Sequence, residues 1–128
     1  MTAQEYINDG FNLSLHIDQN KINRAERLAM QNYIKPIAGD EPDAEQVRSA
    51  LMATAFLILL QNTIAETRAG AKVKNTPQSN NAEEYTILSQ WAIQADAELK
   101  QLRNLTGNHT AKINDVAKIY FKTQYFHN

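Results

Sequence analysis

An all-α fold, a small helical bundle around one long buried central helix, follows from three observations. The eleven residues from Ala50 to Leu60, ALMATAFLILL, hold one polar side chain, Thr54, so a helix made of them has no face for water. Two other stretches, Ile22 to Tyr33 and Leu88 to Leu102, repeat apolar residues at three- and four-residue spacing. Three of the four glycines, Gly39, Gly70 and Gly107, and a proline, Pro36, stand beyond the ends of those segments, as helix punctuation does.

The chain of 128 residues has the size of one domain, with residues 1–17 as an N-terminal arm, 18–107 as the helical core and 108–128 as a C-terminal arm. Its hydrophobic fraction of 43% and charged fraction of 21% belong to a folding chain rather than a disordered one. Cysteine is missing, which removes disulfides, thiolate zinc sites and thiol nucleophiles. The opening MTAQEYINDG has neither the basic nor the apolar region of a secretion signal, so the protein is expected to stay inside the cell that makes it. At eleven residues the apolar run is short of the roughly 20 that cross a bilayer, so a core helix is expected and no membrane.

Net charge is formally −1, too low for strong nonspecific DNA binding over the whole surface. Its distribution is uneven. From Lys100 onward the bases are Lys100, Arg103, Lys112, Lys118 and Lys122 against the single acid Asp115, while the first half is acidic. Two readings stay open: a solvated surface with chance asymmetry, or head-to-tail contact between copies through unlike faces.

Taken in order, Thr2 and Glu5 form a capping box and Gly10 offers a stop, which predicts a short first helix whose Tyr6 and Ile7 anchor an arm on something larger, this chain or another copy. Phe11, Leu13, Leu15 and Ile17 alternate with polar residues, the period of a short extended segment. Asp18 caps the next helix, in which Ile22, Ala25, Ala29 and Tyr33 form a stripe widened by Leu28. Pro36 is expected to end it near Lys35, with Ile37 as one more anchor before a turn at Gly39 to Pro42.

Asp43 and Gln46 open the central helix as a second capping box, and Gly70 is its expected C-terminal cap. That gives a helix of about 26 residues and roughly 39 Å. Residues 71–81, AKVKNTPQSNN, read as a mobile loop, either a plain connection or a projecting contact element carrying Lys72 and Lys74. Asn80 or Asn81 is the expected cap of the third long helix, whose Leu88, Trp91, Ala92, Ala95, Leu99 and Leu102 share a face until Gly107, antiparallel to the central one. Asn114 caps a last segment carrying Lys118, Tyr120, Phe121 and Lys122 and closing on Tyr125 and Phe126. Four aromatics so near the end need cover from the core or from a neighbour.

Catalytic chemistry finds no support in this pattern. His16, His109 and His127 are far apart, and no HExxH or ExxH pair supplies converging metal ligands. The serines lack a nucleophile elbow and the glycines build no phosphate loop. No metal, cofactor or enzyme activity is expected. A helix-turn-helix needs two short helices and a tight turn, and only the basic segment from Asn114 to Lys122 resembles a recognition face.

The sequence from Arg24 to Asp40, RAERLAMQNYIKPIAGD, is similar to the Ala-rich helix ending in Tyr-Ile and a Gly-Asp turn of head-tail connector (adaptor, or head-completion) proteins of tailed bacteriophages. The resemblance covers Ile17 to Leu102 and extends to the order of elements: that helix, a long buried helix, a polar loop and a second long helix. The family's acid-rich opening is weak here, and the aromatic C-terminus does not align with it. The resemblance implies a non-enzymatic virion protein that binds the portal and forms a ring with copies of itself, dodecameric in the family. Such a ring continues the channel through which packaged DNA passes and docks the next neck or tail protein. It would stand in the host cytoplasm before assembly and in the virion neck afterwards. On that reading Lys112, Lys118, Tyr120, Phe121, Lys122, Tyr125 and Phe126 are candidate partner contacts, and Lys72 and Lys74 face the DNA channel or a partner. The competing classes are a small cytoplasmic helical interaction module and a DNA-binding regulator built on the basic last segment.

Overall fold

Helix α1 spans Ala3–Asn8, α2 Gln19–Ala29, α3 Lys35–Ala38, α4 Ala44–Ala71 and α5 Gln78–Thr106, with a π-helical turn, Met30–Ile34, between α2 and α3. The computed structural model describes residues 1–71 and 78–113, with side chains for 1–64, 84 and 86–113. Among the described residues there is no strand, and the protein is an all-α bundle around α4.

Asp43 sets the start of α4: its Oδ1 accepts the Glu45 N–H at 3.2 Å, and Glu45 lies in the first turn, where the helix dipole favours an acid. The helix is 28 residues long and runs through Gly70 to Ala71, one residue past the expected cap. Every residue from Met52 to Leu59 is buried, the outcome that an apolar run without a polar face requires. One side of α4, with Val47, Ala50, Ala53, Leu57 and Ile64, meets Leu88, Ala92, Ala95, Leu99 and Leu102 of α5. The other, with Met52, Ala55, Phe56, Ile58 and Leu59, meets Ile22, Ala25 and Ala29 of α2 and Ala3 and Tyr6 of α1. By length and composition Ala44–Ile64, 21 residues at a mean hydropathy of 1.4, passes as a membrane span, which the apolar run alone did not suggest. About 67% of it is buried inside the protein, so neighbouring helices already occupy the surface that lipid would need.

Helix α5 returns antiparallel to α4. Its C-terminal end lies beside α3, which leads into the start of α4, and there the Asn108 side-chain amide donates to the Ile37 carbonyl at 3.2 Å. Gly107, at φ 71°, terminates α5 as expected. The start differs: α5 begins at Gln78, so Asn80 and Asn81 lie in its first turn rather than capping it, and the loop expected over 71–81 loses its last four residues. Residues 72–77, with Lys72 and Lys74, lie outside the described part.

Helix α2 starts as expected, with Asp18 accepting the Asn20 N–H at 2.9 Å. Its end corrects the reading of Pro36. The chain continues through the π turn, in which the Lys35 N–H bonds to the Met30 carbonyl five residues back, and Pro36 then sits in the first turn of α3. Residues 19–38 are helical without a break, so Pro36 removes one N–H from a continuing ladder, and the wider π turn directly before it is the place where the helix absorbs that loss. The extra residue in the turn shifts the buried stripe by one position: Ile34 and Ile37 follow Ala29 into the core and Tyr33 is only half-buried.

At the N-terminus the capping box is present in both directions, with Glu5 N–H to Thr2 Oγ1 at 3.3 Å and Thr2 N–H to Glu5 Oε1 at 3.3 Å. The something larger on which α1 packs is this chain's own core: Tyr6 is wholly buried against α2 and α4. Residues 11–17 form no strand. Phe11, Leu13 and Ile17 pack on the core, whereas Leu15 falls in a turn and is 57% exposed, so the alternation reflects one-sided packing of an irregular segment.

Candidate functional site: an aromatic cleft with an acidic and amide rim

The end of α1 builds one wall of a cleft. After Asn8 the Gly10 N–H bonds to the Ile7 carbonyl at 3.1 Å and the Phe11 N–H to the Tyr6 carbonyl at 2.9 Å. This is the Schellman arrangement, which needs a left-handed residue, and Gly10 supplies it at φ 94°. The motif brings Phe11 back against Tyr6, ring centroids 5.6 Å apart and edge to face. Phe11 then reaches the long helices. It stacks on Trp91 of α5 at 5.2 Å with an interplanar angle of 29°, and lies 5.2 Å from Phe56 of α4. Phe56 and Trp91 meet edge to face at 4.7 Å, which closes a cluster of four rings joining three elements.

Above those rings lies an open cleft of about 550 Å³, lined by Asp9 and Phe11, by Ser49, Met52 and Ala53 of α4, and by Gln90, Trp91, Gln94 and Glu98 of α5. Its floor is aromatic and apolar, its rim carries two carboxylates and two amides, and none of the lining residues is basic. The Gln94 amide donates to Glu98 Oε1 at 3.1 Å, one helical turn away. Arg48, outside the lining, bridges Asp9 at 3.3 Å and Glu5 at 3.6 Å. These groups are about two-fifths exposed, so the pairs orient Asp9 more than they add stability.

A second polar cluster lies under α1. Glu26 of α2 takes the amine of Met1 at 2.9 Å on one oxygen and the Tyr6 hydroxyl at 2.7 Å on the other. Burial first, then the hydrogen bond to Glu26 and its negative charge, push the Tyr6 phenol well above its ordinary pKa. It is fully enclosed and joins two elements, so its part is structural. Among the described residues no three His, Asp or Glu side chains converge as a metal site, and His16 and His109 are exposed at separate places.

Of the residues singled out in the sequence, Lys112 is exposed, in a segment whose Ala111 and Ile113 pack on the core. Lys72, Lys74, Lys118, Tyr120, Phe121, Lys122, Tyr125 and Phe126 lie outside the described residues. The chain matches no known protein family, curated protein or solved structure. The sequence pattern misses the cleft. It marks Phe11 and Trp91 as anchors of separate segments, and Asp9 and Glu98 carry no motif. The available signal was Gly10 directly before an aromatic, since a Schellman turn places that aromatic back on its own helix.

Proposed function

We propose that the chain is a non-enzymatic structural protein of the tailed-bacteriophage neck, a head-tail connector that binds the portal and forms a ring continuing the DNA channel toward the tail. The observation that carries this reading is the segment from Arg24 to Asp40, whose sequence is similar to the family's early helix and Gly-Asp turn. Its π turn, α3 and Gly39 turn place Ile34 and Ile37 against both long helices. The order of elements, an early helix leading to a long buried one and a second long helix folded back, supports the same reading.

In this account the packed helices α4 and α5 hold the contact parts in place, and the basic aromatic end, from Lys112 through Lys118, Tyr120, Phe121, Lys122, Tyr125 and Phe126, meets the portal or the adjacent copy. Lys72 and Lys74 face the channel or a partner, and the chain moves from host cytoplasm to virion neck on assembly. The test is to mix the purified chain with the portal ring encoded by the same genome, then follow the mixture by native mass spectrometry and negative-stain imaging. A further layer of density on one face of the portal is the expected result. A chain that stays free of the portal at every concentration overturns the reading.

A further inference from the structure

We propose that the cleft between the turn after α1 and the two long helices receives the guanidinium group of an arginine side chain presented by a partner protein. The cleft combines what a guanidinium needs. Trp91 and Phe11, both half-buried and stacked on one another, offer an aromatic surface for the flat cation. Asp9 and Glu98 stand at the rim with carboxylate oxygens, and the Gln90 and Gln94 side-chain carbonyls are further acceptors for its five N–H donors. Charge complementarity decides the class of occupant. The lining carries two negative charges and no positive one, and Arg48, which reaches Asp9 from outside the lining, is shared between Asp9 and Glu5, leaving the group net negative. Counting Glu5, Asp9, Arg48 and Glu98 together, three acids face one base. An acidic or phosphorylated ligand meets repulsion there, and a purely apolar one leaves the rim groups desolvated.

Arginine is favoured over lysine because a planar fork stacks on indole while bonding a carboxylate at its edge, which a compact ammonium does not do. At about 550 Å³ the cleft holds one such side chain with part of its backbone, not a folded domain, so the arginine arrives on a projecting loop or extended segment. This assignment stands independently of the connector reading, since any partner that presents an arginine satisfies it.

Trp91 is the only tryptophan in the chain, so its fluorescence reports on this cleft alone. The experiment titrates the full chain with the blocked peptide acetyl-Gly-Arg-Gly-amide, with its lysine, citrulline and glutamate counterparts as controls. Amide NMR shifts are recorded in parallel. Saturable quenching by the arginine peptide, with shifts centred on Asp9, Gln90 and Gln94, is expected, and the lysine peptide binds more weakly. Citrulline and glutamate peptides give no saturable signal. Glu98→Gln keeps the side-chain shape and loses one charge-assisted bond, which weakens binding about tenfold. Its circular dichroism matches the parent. Equal responses from the arginine and citrulline peptides overturn the proposal, as does a Glu98→Gln variant that binds like the parent, or an arginine titration without saturation.

Discussion

Tyr6 carries more of the N-terminal architecture than its place in a six-residue helix suggests. Its ring is buried with α2 and α4, its hydroxyl donates to Glu26, and its carbonyl accepts the Phe11 N–H that closes the wall of the cleft. Tyr6→Phe removes a hydrogen bond to a charged acceptor and should cost about 1.5–3 kcal/mol in a denaturant titration. The raised phenol pKa also gives a pH dependence. The folded state holds the Tyr6 proton more tightly than the unfolded chain, whose tyrosines ionise near about 10. That contribution is therefore complete below about pH 10 and is lost as the pH climbs beyond it. An ultraviolet titration of the five tyrosines should show one that ionises only with unfolding, and Tyr6→Phe should abolish that component. Thr54 is the opposite case. Its hydroxyl is fully buried in α4 and has no hydrogen-bond partner among the described residues, so burial penalises it without return. Thr54→Val should raise stability by about 1–2 kcal/mol, read from the unfolding midpoint.

At the level of elements, α4 was legible because its signal is local: an apolar run of eleven residues is long for a strand and leaves a helix no face for water. Leu57 is fully buried on its α5-facing side, and Leu57→Ala should cost about 2–5 kcal/mol by calorimetry, enough to threaten a small domain. The caps at Thr2, Asp18 and Asp43 were legible for the same reason, each being a bond within a few residues. The passage from α2 to α3 was not. A stripe drawn at the α-helical period has no place for a π turn, so it put Tyr33 where the chain puts Ile34, and it took Pro36 as a stop where the helix runs on past the π turn to Ala38. Gly39 then closes the segment at φ 88°, ψ 179°, a conformation open almost only to glycine. Gly39→Ala should lower stability by about 1–3 kcal/mol although its Cβ would meet nothing.

The whole molecule brings together what sequence separation hides. Asp9, Met52, Trp91 and Glu98 share one cleft, yet they stand on three elements and in no common motif. Only the packing of α1 on α4 and the return of α5 unite them, so a reading built on periodicity and spacing finds the fold and misses the cleft. Ala111 and Ile113 pack on the core, so a truncation meant to remove the arm belongs after Ile113. On the connector proposal such a variant should keep a cooperative unfolding transition and lose binding to the portal ring. The proposal that the chain is a component of a virion neck is tested most directly by cross-linking mass spectrometry on purified particles produced from the genome that encodes it. The account predicts several copies per particle, cross-linked to the portal and to each other. Particles that contain the portal and lack this chain would contradict it.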